Sequence, residues 1–508
     1  MTTSSADTPQ SNPSGDHAGP LRLNPVTLSS ATSEVDFQLH QSAVEWSLIE
    51  PIVISSEDDI RSRVNWRERL QPFHHQIQNL ITFCRRLPVS IIADDVGLGK
   101  TISAGLILSE LLIRRKVNRA LVVCTRLIGP QWIEELENKF GIDGRFTTGN
   151  EAPRIFAGDS TVVATTYETL RAHLDHARTA GFEMLILDEA HKLRNLHGTA
   201  NPPQTAQRIR QLLEQRVFKY VLMLTATPMQ NRIFDLYSLV DCLAAAKGHK
   251  NPFGDPQTFS RRFAFGQQSR GWASTPNGIE FRSILRQYLV RTRREVARLH
   301  FPSRLVYLRR VEQTAMDREI LQIVRDAVAA QRVSAGNTLR QLGMAMMSSP
   351  QALLHSLQTC ATANVGLTSA IARIRKMLQL SPVPSKMHAV MQIIEELREQ
   401  RPHDWRMVIF TSRIQTLETI VNQLHQQGIP AGVIRGQDPM RKQQAIRAYS
   451  ASPPTVHVIV STDAGAEGVN LQKGNVVVNY DLPWNPMTIE QRIGRVQRLG
   501  SEHAKVLI

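Results

Sequence analysis

Short runs of consecutive apolar, mostly β-branched residues recur at 89–93, 120–124, 161–165, 184–188 and 220–224. Each gives way to polar or turn residues and then to sequence with a helical period, as in 106–114. A run that is apolar on both faces fits a strand of a parallel sheet covered on both sides, because alternation disappears when neither face meets water. The pattern returns at 407–410, 432–434, 456–460, 476–480 and 505–508. Two layered α/β domains with parallel sheets are predicted.

Between them, over residues 229–384, the pattern changes to helical stripes. Leu321, Ile323 and Val324 begin one, and Leu339, Leu342 and Met346 suggest another. Met344, Met346 and Met347 are expected to pack in a core. Beyond Pro382-Val383-Pro384, the residues Met387, Val390, Met391, Ile394 and Leu397 share one helix face. Residues 1–33 are rich in Ser, Thr, Pro and Gly with few large apolar side chains, and are expected to be a disordered tail.

Composition narrows the partners. A formal charge of +15 over 508 residues and a sequence pI near 10.0 favour a polyanion. The cysteines Cys84, Cys124, Cys242 and Cys360 lie far apart without a Cys-x-x-Cys pair, which speaks against a zinc site or disulfide framework and for a reducing compartment. No leader pattern and no run of about 20 apolar residues is present, so a cytoplasmic protein without membrane contact is expected.

Three segments carry chemistry. The first run leads through Asp94-Asp95-Val96-Gly97-Leu98-Gly99-Lys100-Thr101 into a predicted helix, an order that turns backbone N–H groups and a helix N-terminus towards phosphates. Lys100 would sit on the β- and γ-phosphates and the Thr101 hydroxyl would ligate Mg²⁺. Asp94 stands where such loops carry their first glycine. The apolar run ending in Asp188-Glu189-Ala190-His191 would place Asp188 on the metal and Glu189 on the attacking water. Near the end of the chain, Gln491-Arg492-Ile493-Gly494-Arg495-Val496-Gln497-Arg498 puts Arg495 and Arg498 at i and i+3, hence on one helix face, where either could serve as an arginine finger.

The ordered set resembles the Swi/Snf-like ATPases of helicase superfamily 2, from about residue 66 onward, and especially their bacterial branch of DEAH-box proteins. Leu70-Gln71-Pro72-Phe73 with Gln76 is similar to the family's adenine-reading element. Val122-Val123-Cys124-Thr125 with Trp132 and Glu135, Thr165-Thr166-Tyr167, and Leu224-Thr225-Ala226-Thr227-Pro228 with Gln230-Asn231 resemble its next motifs. Ser348-Ser349-Pro350, Phe410-Thr411-Ser412-Arg413, the stretch Ser461 to Leu471 and Asp481-x-Pro483-Trp484-Asn485-Pro486 follow in family order.

The resemblance implies two RecA-like domains joined by a helical insertion: a 34–65 extension, a first domain at 66–245, the insertion and linker at 246–384, and a second domain at 385–508, which looks cut short beside family members. It implies ATP contacts at Gln76, Asp95, Gly97, Leu98, Gly99, Lys100, Thr101, Gly465, Gly468 and Gln491, and DNA contacts at Thr125, Arg126, Thr165, Thr166, Thr411, Ser461 and Thr462. Trp484 is expected to pack between motifs, and the arginines at 291–294 and 309–310 to lie on solvated faces. The implied activity is ATP-driven translocation on double-stranded DNA with remodelling of bound protein. A strand-separating helicase, and a nucleotide-gated scaffold of a larger complex, stay open, as does a protein partner such as RNA polymerase or a defence or repair complex.

Overall fold

The computed structural model describes residues 52–508 except 68–69, 230–231, 265–271, 298, 300, 331–335, 362–366, 381–383, 402–403, 437–438, 467 and 499–500. The expected tail at 1–33, the early part of the extension, Gln230-Asn231 and Glu467 lie outside the described residues.

The first lobe is a seven-stranded parallel sheet in the order β3-β4-β2-β5-β6-β1-β7. Its strands are β1 (Val89–Ile92), β2 (Ala120–Cys124), β3 (Gly144–Phe146), β4 (Val162–Thr166), β5 (Met184–Asp188), β6 (Tyr220–Leu224) and β7 (Leu289–Val290). The second lobe is a six-stranded sheet, also parallel, in the order β10-β11-β9-β12-β13-β8. Its strands are β8 (Ser303–Leu305), β9 (Met407–Thr411), β10 (Ala431–Ile434), β11 (Val458–Thr462), β12 (Val476–Asn479) and β13 (Lys505–Leu507).

Why these runs lack alternation is visible in the packing. Leu121 and Val123 of β2 point into one core, with Leu185 and Leu187 of β5, while Val122 and Cys124 point into another with Ile186. Both cores are closed by helices, so every position of these strands is buried. In the second lobe Met407 and Ile409 face one core, and Val408 and Phe410 the other.

Helices Ala315–Ala330, Gly336–Ser348, Pro350–Ala361 and Leu367–Leu380 make the insertion, around a core of its own from Ile320 to Ile374. Met346 packs against that core, but Met347 is 60% exposed, so the expected methionine cluster is only partly buried. The described part of the extension caps the first lobe. Ile52, Ile54 and Ile60 enter its core, and the buried Glu110 accepts from the backbone N–H groups of Arg61 (3.1 Å) and Ser62 (2.8 Å).

Three strands have no counterpart among the apolar runs. β3, β7 and β8 are two or three residues long, and only backbone pairing marks them. β7 and β8 come from the segment between the lobes: the first adds to β1, the second to β13. The strand at 505–507 is therefore flanked on both sides, with Ile508 N donating to Leu305 O at 2.8 Å.

Candidate active site

The phosphate loop bridges β1 and the helix Lys100–Ile113. Gly97 (φ 88°) and Gly99 (φ 75°) both lie in the left-handed region, which glycine reaches without a Cβ clash. Gly99 has a second reason: a Cβ would stand 2.6 Å from Gln76 Nε2. Gln76 donates to Leu98 O (3.1 Å) and Gly99 O (3.4 Å) and accepts from Phe73 N (2.9 Å), so it is seated on the loop. Thr101 lies in the first turn of the helix and Leu98 is buried beneath the loop. Lys100 Nζ donates to the carbonyls of Asp94 (2.8 Å) and Asp95 (3.3 Å). Burial lowers its pKa, against the opposing pull of Glu189, Asp94, Asp188 and Asp95.

The two aspartates opening the loop are ties. Buried Asp94 accepts from Asn79 Nδ2 (2.7 Å) and Thr292 N (2.7 Å). Asp95 accepts from Arg291 Nη2 (3.1 Å) and Arg294 N (3.2 Å), so its carboxylate is engaged by the 291–294 segment. Within that segment Arg291 and Arg293 are exposed as expected, while Arg294 is partly buried against the loop.

At the end of β5, Asp188 accepts from Trp132 Nε1 (2.9 Å) and from Glu189 N (2.8 Å). Burial and the Glu189 charge push its pKa up to about 6, partly offset by the Trp132 hydrogen bond. Glu189 adopts φ 52°, a strained conformation for a non-glycine residue. Its Oε2 lies 3.0 Å from His191 Nδ1, close enough for an ion pair but not aligned as a hydrogen bond. Burial would raise the Glu189 pKa, but His191, Lys100 and Arg495 outweigh it and hold the carboxylate below its ordinary range. A buried carboxylate oxygen without a hydrogen bond suits a water molecule. The carboxylate of Asp188, crowded by a second carboxylate, suits a divalent cation.

The second lobe closes the site. Arg495, in the helix Pro486–Val496, acts electrostatically on Glu189 from across the cleft. The expectation that Arg498 shares its helix face is corrected. The helix ends at Val496, Gln497 is extended (ψ 90°), and Arg498 folds back so that Nε donates to Gly494 O at 3.0 Å. Burial and Arg495 depress its pKa to about 10, with Glu135 of the first lobe opposing. Gln491 is half-buried on the same helix. Gly465 is buried within the second lobe, its carbonyl accepting from Lys442 Nζ (2.6 Å) and a Cβ meeting Ile434 O at 2.3 Å. Gly468 (φ 75°) instead touches the first lobe, where a Cβ would stand 2.0 Å from Ile128 Cγ2.

Most hydroxyls expected on DNA face inward. Thr165 donates to Thr147 O (3.0 Å), Thr411 to Asp481 Oδ2 (2.7 Å) and Ser461 to Ile434 O (3.2 Å), and all three are fully buried. Thr166 caps the helix Tyr167–Ala172 by accepting from Thr169 N, and Thr462 accepts from Gly465 N. In this structure the side-chain oxygens of these five are therefore engaged within the protein. Arg126 is exposed beside Thr125, whose buried hydroxyl has no hydrogen bond. Trp484 does not pack between motifs; it is 68% exposed, with the Arg340 guanidinium 5.2 Å from its ring centroid.

A family model described as the SNF2-related domain matches residues 74–364, and the helicase conserved C-terminal domain matches 385–500. The chain belongs to the SNF2-related family. Its relatives include the uncharacterized ATP-dependent helicase YqhH of Bacillus subtilis, 29% identical over 81% of this chain and 70% of that protein. The RNA polymerase-associated protein RapA of Vibrio parahaemolyticus is 24% identical over 82% of this chain, which spans 45% of RapA. The Sulfolobus solfataricus SWI2/SNF2 ATPase core solved with dsDNA aligns at a TM-score of 0.41 and 18% identity, over 87% of this chain and 88% of that one. As an SNF2-family protein the chain is an ATP-hydrolysing enzyme of the helicase superfamily. No helix among the described residues is long and apolar enough to cross a membrane.

Side chains to which the sequence assigned no contact complete the candidate site. Trp132 holds Asp188, and Asn79 holds Asp94. Arg492, buried in the second lobe, binds Asp463 (2.5 and 2.9 Å) and reaches Asp481 Oδ1 at 3.3 Å. A buried arginine inside an arginine-rich motif leaves no trace in spacing.

Proposed function

We propose that this SNF2-family motor uses ATP to translocate on double-stranded DNA and remodel proteins bound there. The observation that carries the reading is that the arginine helix of the second lobe packs on the phosphate loop of the first, a Cβ on Gly494 standing 2.4 Å from Val96 Cγ1, which supports one nucleotide site built from both. Lys100 and the loop N–H groups take the β- and γ-phosphates, and Gln76 takes the base. Glu189 orients the attacking water through its carboxylate, whose Oε2 lies 3.0 Å from His191 Nδ1. Arg495 and Arg498 stabilise charge on the transferring phosphoryl group when the lobes close. Thr101 and Asp188 would hold Mg²⁺, which neutralises phosphate charge when bound. Hydrolysis then loosens closure, because ATP favours the closed state more than ADP does. The net charge of +15, together with exposed Arg126, supports a phosphate-backbone track that does not read sequence.

The test is ATP turnover without nucleic acid and with single-stranded DNA, duplex DNA or RNA, alongside triplex displacement and duplex unwinding. Duplex-stimulated turnover with triplex displacement, both lost in Glu189→Gln, is expected. Unwinding without displacement would replace translocation by strand separation. RNA polymerase is the first protein partner to test by co-purification, since RapA carries that association in its name.

A further inference from the structure

The chain crosses from the first lobe to the second along residues 291–302, leaving one sheet at β7 and joining the other at β8. The phosphate loop holds the start of this crossing: Thr292 N donates to Asp94 Oδ1 (2.7 Å) and Arg294 N to Asp95 Oδ2 (3.2 Å). From that anchored backbone the Arg294 guanidinium reaches both halves of the site. Nε and Nη2 donate to Val96 O (2.8 and 2.5 Å), and Nη1 donates to Gln497 Oε1 (2.7 Å). Phe301 lies against it, 4.9 Å from the guanidinium carbon to the ring centroid. Val96 belongs to the phosphate loop, while Gln497 stands between Arg495 and Arg498.

Gln497 is held from its other sides as well. Its Oε1 also accepts from Arg304 Nε (2.8 Å), and its Nε2 donates to Pro302 O (2.6 Å). The two terminal nitrogens of Arg304 clamp Glu490 on the arginine helix at 2.8 Å each. One buried amide therefore receives Arg294 of the crossing and Arg304 of β8. A planar guanidinium with donors in a fixed fork sets the separation of two acceptors, which a flexible ammonium cannot do.

We infer that Arg294, acting through Gln497, is a positioning residue for ATP hydrolysis: it fixes the distance between the phosphate loop and the arginines at 495 and 498. This rests on the reading that Lys100 and Arg495 serve the same ATP. Position is where a remote side chain exerts most leverage, because the transition-state charge must meet its stabilising group in register.

The test compares the full-length protein with Arg294→Lys, Gln497→Ala, Gln497→Glu, Arg495→Ala and the double variant Arg294→Lys/Arg495→Ala. Arg294→Lys is expected to lower kcat by about tenfold to a hundredfold while KM for ATP stays within about threefold. Gln497→Ala is expected to fall with it, and Gln497→Glu, which keeps the acceptor for Arg294 but loses the Nε2 donor to Pro302 O, to fall less than Gln497→Ala. In single-turnover assays, adding Arg294→Lys to Arg495→Ala is expected to cost clearly less than Arg294→Lys costs alone, because one of the two positioned arginines is already gone. Unchanged kcat in Arg294→Lys, or losses that multiply in the double variant, would overturn the inference. If Arg294→Lys fails to fold, Gln497→Ala against Gln497→Glu decides alone. Full turnover in Arg495→Ala would instead sink the shared-site reading, a result distinct from a silent Arg294.

Discussion

Trp132 shows how much of an ATPase centre is set by side chains that never touch the nucleotide. Asp188 is buried next to a second carboxylate, which disfavours its charged form, and the indole Nε1 at 2.9 Å is the neighbour that most favours it. Trp132 is itself buried in the core behind the sheet, so the donor arrives on a fixed scaffold. Replacing it by Phe keeps most of the apolar volume and removes only the donor. A hydrogen bond to a charged group contributes about 1.5–3 kcal/mol, so Trp132→Phe is expected to cost about tenfold to a hundredfold in kcat. Because the same hydrogen bond holds in the folded protein, Trp132→Phe should also lower stability by about 1–3 kcal/mol without unfolding it. Wild-type turnover would mean the indole merely packs. The strained φ of 52° at Glu189 adds a second residue-level expectation. Glu189→Gln keeps that backbone and the side-chain shape, so ATP binding should persist while turnover falls by at least about a hundredfold. Nucleotide titration beside a turnover assay separates the two effects.

At the scale of elements, what the sequence disclosed follows from burial. Strands such as β2 and β5, covered on both faces, must be apolar at every position, and that constraint shows in the residues themselves. Strands β7 and β8 are fixed by backbone pairing to β1 and β13, which places no demand on side chains and so stayed hidden. The site divides along the same line. Lys100, Asp188 and Glu189 announce themselves because strand-to-loop geometry presents them at a sheet rim, whereas Gln497 and Arg492 gain their roles from partners distant in sequence. Threonines at strand ends are ambiguous in sequence, since one hydroxyl can meet a phosphate or a protein acceptor, and in this structure Thr165 and Thr411 meet protein acceptors. The insertion docks on the second lobe through such a buried knot. Ser348 Oγ donates to Asp481 Oδ2 (2.6 Å), which also accepts from Thr411 (2.7 Å), while Ser349 and Thr416 are 2.7 Å apart. Burial would raise the Asp481 pKa, but these donors and Arg492 outweigh it and keep the carboxylate charged. Ser348→Ala is expected to destabilise by about 1–3 kcal/mol. Asp481→Ala, which strips a partner from buried Arg492, should cost about 3–5 kcal/mol. Denaturant unfolding measures both, and equal losses would count against a shared network.

For the whole molecule the question is how closely the lobes must approach, and Gly494 answers it. Gly494 sits within the helix Pro486–Val496, where alanine would be preferred to glycine by about 0.5–1 kcal/mol. Helix stability therefore gives no reason for glycine. The reason lies across the cleft: a Cβ on Gly494 would stand 2.4 Å from Val96 Cγ1 of the phosphate loop. Gly468 meets Ile128 in the same way, so the lobes touch backbone to side chain at two places. Gly494→Ala should consequently stabilise its helix slightly yet hold the lobes apart, displacing Arg495 from Glu189. A shift on the order of 1 Å at a reacting centre can cost about a hundredfold in rate, so a large fall in kcat with an unchanged or raised Tm is expected. The obstructing atom is a branched methyl, and shortening it should remove the obstruction. Val96→Ala placed in the Gly494→Ala protein is expected to restore most of the lost turnover, while Val96→Ala alone changes little. Rescue of that kind cannot arise from damage to either lobe separately. If the second substitution deepens the loss instead, contact between Val96 and Gly494 does not govern closure.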